Sequence, residues 1–155
     1  MASKTKNYTP VVKTMVAVYG SLRVGEGNSW MNDEANAIYL GGGKTHHNYN
    51  IYEHHGKGFP HVSMKHNDSE TPVVVDVFEI AQSELFSSYD RLEGYPSFYD
   101  RTKIAIKMYN DDMLEAWMYH IDEDYPVPVR SGDWSAYLEE HRVAMAMENG
   151  ENIDE

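Results

Sequence analysis

The sequence predicts an α+β fold, and two kinds of segment lead to this prediction. Short apolar runs rich in β-branched residues recur at strand length, and the clearest of them covers residues 73–80. Longer segments at 82–93 and 134–147 repeat their apolar residues at helical spacing instead. The chain has 155 residues and shows neither internal repeats nor a linker, so we expect one domain with one core.

Five to six strands and two to three helices follow from these patterns in chain order. The strands are expected at 15–19, 46–54, 62–65, 73–80, 100–109 and 114–121. The helices are expected at 28–40, 82–93 and 134–147. Asn28 can cap the first helix, the glycines at 41–43 end it, and the polar triplet 110–112 turns the last two strands into a hairpin.

Composition divides the chain into three parts and excludes several classes of partner. We expect a flexible polar segment at 1–14, a single domain at 15–147 and an acidic tail at 148–155. The net charge of −12 argues against nucleic acids and anionic membranes, which bind positive surfaces. The start of the chain lacks an apolar signal segment and there is no cysteine, so a cytoplasmic protein is expected.

Glu93 is the candidate catalytic residue because it lies where a helix should be apolar. At about 100° per residue, with Leu85 at zero, Glu93 falls near 80°, within the stripe that also holds Phe86 and Leu92. Gly94 follows as the expected helix stop. A carboxylate in this position is desolvated, which raises its pKa and suits a general base. The alternative is a structural carboxylate that reaches solvent or pairs with a buried Arg or Tyr.

A glycine-rich loop at 20–28 follows the first strand and is a candidate anion-binding site. Consecutive backbone N–H groups after Gly20 and Ser21 can surround a carboxylate or a phosphate. The spacing matches neither a Walker loop nor a dinucleotide-binding fingerprint. A simple turn between strand and loop explains the pattern equally well.

Taken together, the two segments resemble the γ-glutamylcyclotransferase-like family, which includes the γ-glutamylamine cyclotransferases and the AIG2-like proteins. The resemblance lies in Tyr-Gly-Ser-Leu at 19–22 and, some seventy residues later, in Leu-Glu-Gly-Tyr-Pro at 92–96 with Tyr99 and Arg101 after it. Ser-Gly-Asp-Trp at 131–134 is similar to the tail motif of many members. Two departures concern the substrate: Val-Asp at 75–76, where members often have Gly-Glu, and the segment 41–68, which matches only in outline.

The resemblance implies a small mixed β-barrel of five to six strands with two to three flanking helices. It implies that the loop of Tyr19, Gly20, Ser21 and Leu22 holds the α-carboxylate and γ-glutamyl backbone of a small-molecule substrate, and that Glu93 is the acid–base. The reaction expected from it releases 5-oxoproline and a free amine, and it needs neither metal nor cofactor.

The supporting residues of such a site each have two interpretations. Tyr99 and Tyr119 are candidate pocket walls, although a core position suits each of them as well. The oxyanion donor is expected to be a backbone group near Tyr19 or the Tyr119 hydroxyl. Arg101 is expected to pair with an acid on the barrel, either Asp90 or Asp76.

Three alternatives remain open from the sequence. The same loop and base could act on glutathione or a γ-glutamyl dipeptide rather than on a γ-glutamylamine. The chain could bind or sequester a γ-glutamyl-like molecule without turnover, since fold alone does not guarantee chemistry. The acidic tail could instead bind a partner.

The histidine-rich segment 46–66 is the remaining candidate, in this case for a metal site. Strand residues eight apart lie about 26 Å apart, so the pairs at 46–47 and 54–55 cannot share an ion. Adjacent strand residues point to opposite faces, which is poor ligand geometry. We therefore expect these histidines at the surface or at the rim of a pocket.

Overall fold

The computed structural model describes residues 11–66 and 69–148, and it confirms the predicted α+β fold. Within these ranges the strands are β1 (Lys13–Val18), β2 (Ile38–Thr45), β3 (Asn50–Glu53), β4 (Pro60–Ser63), β5 (Val74–Ala81), β6 (Asp100–Met108) and β7 (Met113–His120). The α-helices are α1 (Trp30–Glu34), α2 (Gln82–Glu84), α3 (Asp90–Glu93) and α4 (Trp134–Glu148). A 3₁₀ turn, His54–Gly56, follows β3.

Five strands close into a small mixed barrel in the order β1-β5-β2-β6-β7. Neighbouring strands run antiparallel, except that β1 and β7 meet in parallel to close the barrel. Strands β3 and β4 form a separate two-stranded antiparallel sheet. The barrel confirms the expectation that the family resemblance implied.

The core has two parts, which lie on opposite faces of the same strands. Ala17 packs in the first cluster with Ile106 and Met118, while its neighbours Val16 and Val18 pack in the second cluster. Successive residues of a strand point to opposite faces, so β1 is buried on both sides. This explains why its sequence is a continuous apolar run rather than an alternating one. The second cluster includes Leu85, so it joins the barrel to the helix that carries Glu93.

The prediction of a helix over 28–40 is wrong in its second half. Helix α1 ends at Glu34, and β2 begins at Ile38 and continues through the three glycines to Thr45. The glycines fit the strand because a Cβ on Gly43 would lie 2.7 Å from the Lys107 carbonyl of β6, and one on Gly42 would lie 3.0 Å from the Tyr109 ring. They permit close backbone approach within the barrel instead of ending a helix.

The helix predicted at 82–93 exists, but a π-helical turn interrupts it. Helices α2 and α3 flank the π-helical turn Leu85–Tyr89, so the three form one helical segment. A π turn inserts one residue, which moves all later residues back by about 100° around the axis. The shift turns Asp90 into the core and Leu92 out to solvent, and Leu92 is 41% exposed. Glu93 moves from near 80° to near 340° by this arithmetic and still faces inward.

Two other expectations concern the ends of the chain. Strand β1 begins at Lys13, inside the segment 1–14 that we expected to be flexible. The acidic tail at 148–155 lies outside the described residues apart from Glu148, the last residue of α4. None of the described helices combines the length and hydrophobicity needed to cross a bilayer.

Candidate active site

A cavity of about 270 Å³ lies between the end of β1 and the end of α3. Its residues come from the loop after β1, the two-stranded sheet, the end of the Glu93 helix and strand β7. They are Ala17, Val18, Tyr19, Gly20, Ser21, Leu22, Asn28, Phe59, Pro60, Leu92, Glu93, Phe98, Tyr99 and Tyr119. The structure therefore brings all seven predicted site residues to one cavity.

Glu93 contributes a carboxylate without a partner to this cavity. It is the last residue of α3, and Gly94 ends the helix in the left-handed conformation with φ 68°. Among the described residues, no donor hydrogen-bonds to its carboxylate and no cation pairs with it. Desolvation by burial raises the pKa of Glu93 from 4.5 to about 7. The structure therefore shows neither the buried Arg nor the buried Tyr as a partner of Glu93, which was one of the two forms of the structural alternative.

The arginine that could have paired with Glu93 is bound to Asp90 instead. Arg101 donates from Nε to Asp90 Oδ1 at 2.8 Å and from its terminal nitrogen to Asp90 Oδ2 at 3.1 Å. Its guanidinium also lies 4.3 Å from the Tyr95 ring centroid and 4.5 Å from that of Trp117. The expectation that Arg101 pairs with Asp90 or Asp76 is thus confirmed for Asp90.

The loop at 20–22 offers backbone donors on the other side of the cavity. Within the described residues, the N–H groups of Gly20, Ser21 and Leu22 donate no hydrogen bond to another protein group. The loop is held from behind by Arg23, which donates to Asp76 at 3.3 Å and to Asp133 at 2.9 Å. Asp76 Oδ2 also accepts the N–H of Val24 at 2.9 Å. Both carboxylates fix the loop, so its donors are presented on a rigid frame.

Glycine is required at the first position of this loop for a packing reason. A Cβ on Gly20 would lie 2.9 Å from Cγ and 3.3 Å from Cδ of the Pro60 ring. The loop therefore sits against the two-stranded sheet more closely than a side chain would allow. A larger residue at this position would therefore disturb the loop.

Tyr19, Tyr99 and Tyr119 line the cavity, and their hydroxyl groups form hydrogen bonds with other parts of the protein. The Tyr19 hydroxyl donates to the Tyr119 carbonyl at 2.8 Å and accepts the Val62 N–H at 3.2 Å. The Tyr99 hydroxyl donates to the Pro60 carbonyl at 2.6 Å. The Tyr119 hydroxyl donates to Asp90 Oδ1 at 2.6 Å. A hydroxyl has one proton, so in this arrangement the Tyr119 proton is not available to an oxyanion.

Sequence reasoning did not single out Phe59, Pro60 or Phe98, which also line the cavity. Phe98 follows the Leu-Glu-Gly-Tyr-Pro segment by two residues, and this proximity was a signal that could have identified it. Phe59 and Pro60 belong to the segment 41–68, where no motif marked them. Their position depends on β4 packing beside β7, a long-range contact without a local sequence signature.

Two buried histidines of the His-rich segment support this part of the cavity. His54 and His61 face each other with their Nδ1 atoms 3.0 Å apart, and His61 Nε2 lies 2.8 Å from the Glu123 carbonyl. Since a carbonyl only accepts, His61 carries its proton on Nε2 and accepts at Nδ1 from His54. Burial, together with the neighbouring His61, lowers the pKa of His54. Both residues are buried, so the part of the expectation that placed them at the surface is wrong; His54 instead packs against Phe59 and Phe98 of the cavity lining.

No three His, Asp or Glu side chains come together as a metal-binding group in residues 11–66 and 69–148. The cavity brings together a desolvated carboxylate, that of Glu93, and the free backbone donors of the loop after β1. Such a pair can hold an anionic group at one end of a small molecule and exchange a proton at the other.

Comparison with known proteins gives consistent matches across most of the chain. Residues 16–136 match the family model for gamma-glutamyl cyclotransferase, AIG2-like. A protein of Methanocaldococcus jannaschii with the provisional name of γ-glutamylcyclotransferase is 34% identical over 124 residues, covering 79% of this chain and 96% of that protein. A Drosophila melanogaster protein with the same provisional name is 31% identical over 109 residues, covering 68% of each chain.

Solved structures share the fold at lower sequence identity. The crystal structure of an AIG2-like protein from Mus musculus superposes with a TM-score of 0.68 at 19% identity, over 78% of this chain and 88% of that one. An uncharacterised protein from Pyrococcus horikoshii superposes with a TM-score of 0.58, also at 19% identity, over 84% of this chain and 97% of that one.

Proposed function

The chain belongs to the gamma-glutamyl cyclotransferase, AIG2-like family, and from this premise we propose that it converts a γ-glutamylamine into 5-oxoproline and a free amine with Glu93 as the acid–base. The observation that carries the proposal is the lone Glu93 carboxylate in the cavity, whose pKa burial raises to about 7. An acid–base residue transfers protons best when its pKa lies near the working pH.

The substrate is held at its amino acid end by the loop. Its α-carboxylate accepts from the N–H groups of Gly20, Ser21 and Leu22, which have no acceptor in the described part of the chain. The rings of Tyr19, Tyr99 and Tyr119 surround the glutamyl chain. This enclosure folds the chain so that its α-nitrogen lies near the γ-carbonyl, and the entropy of ring closure is lost on binding rather than in the reaction.

Proton transfer then accompanies closure of the ring. Ionised Glu93 takes a proton from the α-ammonium group, and the freed amine attacks the γ-carbonyl carbon to form the new C–N bond. The tetrahedral intermediate breaks its bond to the leaving nitrogen as Glu93 returns the proton there. After the attack the ring nitrogen still carries one proton too many for a lactam. Glu93 also transfers this proton to the released amine, so the products are a neutral lactam and an ammonium ion. General acid–base groups of this kind contribute about 10²–10⁴ in rate.

The test is release of 5-oxoproline from γ-glutamyl-ε-lysine, γ-glutamylbenzylamine, γ-glutamylalanine and glutathione, with Glu93→Gln as the control. We expect release from at least one compound by the wild type and none by the variant. Calorimetry with the same compounds tests the alternative in which the protein binds a γ-glutamyl compound without turning it over. Binding without release by the wild type, with equal binding by Glu93→Gln, contradicts the enzyme and supports the sequestering alternative.

A further inference from the structure

Three apolar side chains form one wall of the cavity, and we call Phe59, Leu92 and Phe98 the apolar wall. Phe98 is 49% exposed and Leu92 is 41% exposed, so neither is buried by the rest of the protein. The ring centroids of Phe59 and Phe98 lie 6.1 Å apart at 54°. The wall is therefore exposed apolar surface that lines the cavity. A ligand that covers it removes this surface from water, and this burial stabilises the complex.

The apolar wall lies on the side of the cavity where the leaving group must lie. Leu92 adjoins Glu93, and Phe98 packs so near the end of the helix that a Cβ on Gly94 would be 3.1 Å from its own Cβ. In the proposed reaction Glu93 gives its proton to the leaving nitrogen, so that nitrogen lies beside Glu93. The group attached to it continues past Glu93, along Leu92 and Phe98.

The cavity offers no positive charge to a leaving group that carries a carboxylate. Glu93 is the only charged side chain among the described residues that line it. A carboxylate beside the wall would lose water without gaining a partner and would face the Glu93 anion. Arg23 is bound to Asp76 and Asp133, and Arg101 is bound to Asp90. Arg91, which precedes Leu92 in the chain, is exposed and does not line the cavity.

The two phenylalanines of the apolar wall pack on a buried residue, which holds them in a defined arrangement. The Phe59 ring stacks on His54 at 5.0 Å and 29°, and the Phe98 ring meets His54 edge-on at 5.3 Å. His54 is held by His61, which is fixed by the Glu123 carbonyl. Both phenylalanines thus pack on the His54 imidazole, which one hydrogen bond ties to His61, and His61 is tied in turn to the Glu123 carbonyl.

We propose that the leaving group is an apolar amine that carries no charged group besides its amino nitrogen, such as an arylalkyl or branched alkyl amine, and that it packs on the apolar wall. The inference rests on the proposed function and adds to it the chemical class of the substrate. It separates such γ-glutamylamines from γ-glutamyl peptides and from γ-glutamyl-ε-lysine, because these compounds carry a carboxylate in the leaving group.

A matched pair of compounds tests the proposal on the wild-type protein. The pair is γ-glutamylbenzylamine and γ-glutamyl-4-carboxybenzylamine, which differ only in a carboxylate on the ring; glutathione and γ-glutamyl-ε-lysine complete the set. We expect kcat/KM for 5-oxoproline release to be at least about tenfold higher for γ-glutamylbenzylamine than for the other three. Equal or better use of any carboxylate-bearing compound overturns the inference and leaves the cyclotransferase intact. Release from none of the four overturns both.

Variants show whether the wall itself is responsible. Phe98→Ala is expected to lower kcat/KM for γ-glutamylbenzylamine about tenfold and to change that for γ-glutamyl-ε-lysine less than twofold. Phe86→Ala is the matched control, because Phe86 is similarly exposed at 56% but lies outside the cavity, and it should change neither value. An equal loss on both compounds in Phe98→Ala assigns Phe98 a general structural role and contradicts the proposal.

Lys57 tests the alternative that a nearby cation recognises a carboxylate on the leaving group. It is an exposed cation on the loop that leads to Phe59. Its side chain does not line the cavity, so Lys57→Ala should leave the use of all four compounds unchanged. A severalfold loss confined to glutathione and γ-glutamyl-4-carboxybenzylamine would identify a cation that recognises the leaving group, and this result contradicts the proposal.

Discussion

Asp90 and Glu93 lie one turn apart on the same short helix, and the structure gives these two carboxylates opposite surroundings. Asp90 is bound by Arg101 through both oxygens and by the Tyr119 hydroxyl. Glu93 has neither an ion pair nor a hydrogen bond among the described residues, and it lines the cavity. Burial alone therefore does not distinguish them; what differs is whether the buried charge is neutralised.

The difference suits Asp90 to a structural role and Glu93 to acid–base chemistry. A buried ion pair with its hydrogen bonds satisfied stays ionised and anchors the elements that carry it. A buried carboxylate without partners holds its proton more tightly, so it can both accept and release a proton near neutral pH. Arg101 is thus engaged by Asp90, and Glu93 has no cation as a partner among the described residues.

The largest expected effect is on turnover in Glu93→Gln. The amide keeps the shape of the side chain but cannot take a proton, so 5-oxoproline release should fall by at least about 10²–10⁴. Circular dichroism serves as the folding control. A variant that is folded and retains wild-type release would remove Glu93 from the mechanism.

The same substitution should raise stability at high pH. The folded pKa of about 7 lies above the unfolded value of 4.5, so the folded wild type loses stability as pH rises between these values. Above pH 7 the glutamine variant should be more stable by about 2 kcal/mol, allowing for the exposed part of the carboxyl. Below pH 4.5 the two proteins should unfold at the same denaturant concentration. A wild type that is the more stable protein at pH 8 contradicts the account.

Asp90→Asn should instead act on stability. Removing one member of a buried ion pair leaves Arg101 without its counter-charge, at a cost of about 3 kcal/mol in the free energy of unfolding. Urea denaturation measures this loss, and Glu115→Gln, at an exposed position of β7, is the control. A loss below 0.5 kcal/mol, on the scale of an exposed pair, would show that the pair is not structural.

Gly20→Val should act mainly on substrate binding. The added side chain meets the Pro60 ring and displaces the loop that carries the backbone donors. We expect KM to rise about tenfold or more, and Gly27→Val is the control because a Cβ at Gly27 meets nothing within 4 Å. Unchanged KM in Gly20→Val would mean that the loop does not hold the substrate.

The smallest expected effect is that of Tyr119→Phe. It removes one hydrogen bond to Asp90 and should cost about 1 kcal/mol of stability. The rate of release should change less than threefold, because the hydroxyl proton is directed at Asp90 and not at the reacting carbonyl. A fall of a hundredfold in kcat would restore Tyr119 as the oxyanion donor.

Local patterns predicted most of the fold and the centre of the candidate site. The β-branched run of β5 and the polar turn before β7 lie where the sequence placed them, within a few residues. Glu93 was found because a charge in an apolar stripe is visible on a helical wheel, although the π turn changes the wheel that applies. The family resemblance added the barrel and the role of the loop. The matches with known proteins confirm the family, and the role of the loop stays a prediction.

What the sequence did not predict depends on contacts between distant segments. The strand β2 passes through Gly41 to Gly43 because β6 lies close against it, and no local signal shows this. His54 and His61 were expected at the surface or at the rim of a pocket, but the fold buries them against each other. The apolar wall likewise combines Phe59 and Phe98, which are far apart in the chain and meet only in the folded protein.

The most direct test of the central claim is the titration of the Glu93 carboxyl by carbon-13 NMR, assigned by the signal that is absent in Glu93→Gln. The account predicts an apparent pKa of about 7, with 5-oxoproline release rising through the same pH range because the ionised form is the base. A value near 4.5 would show that Glu93 is solvated or paired, and it would contradict the role assigned to its isolation.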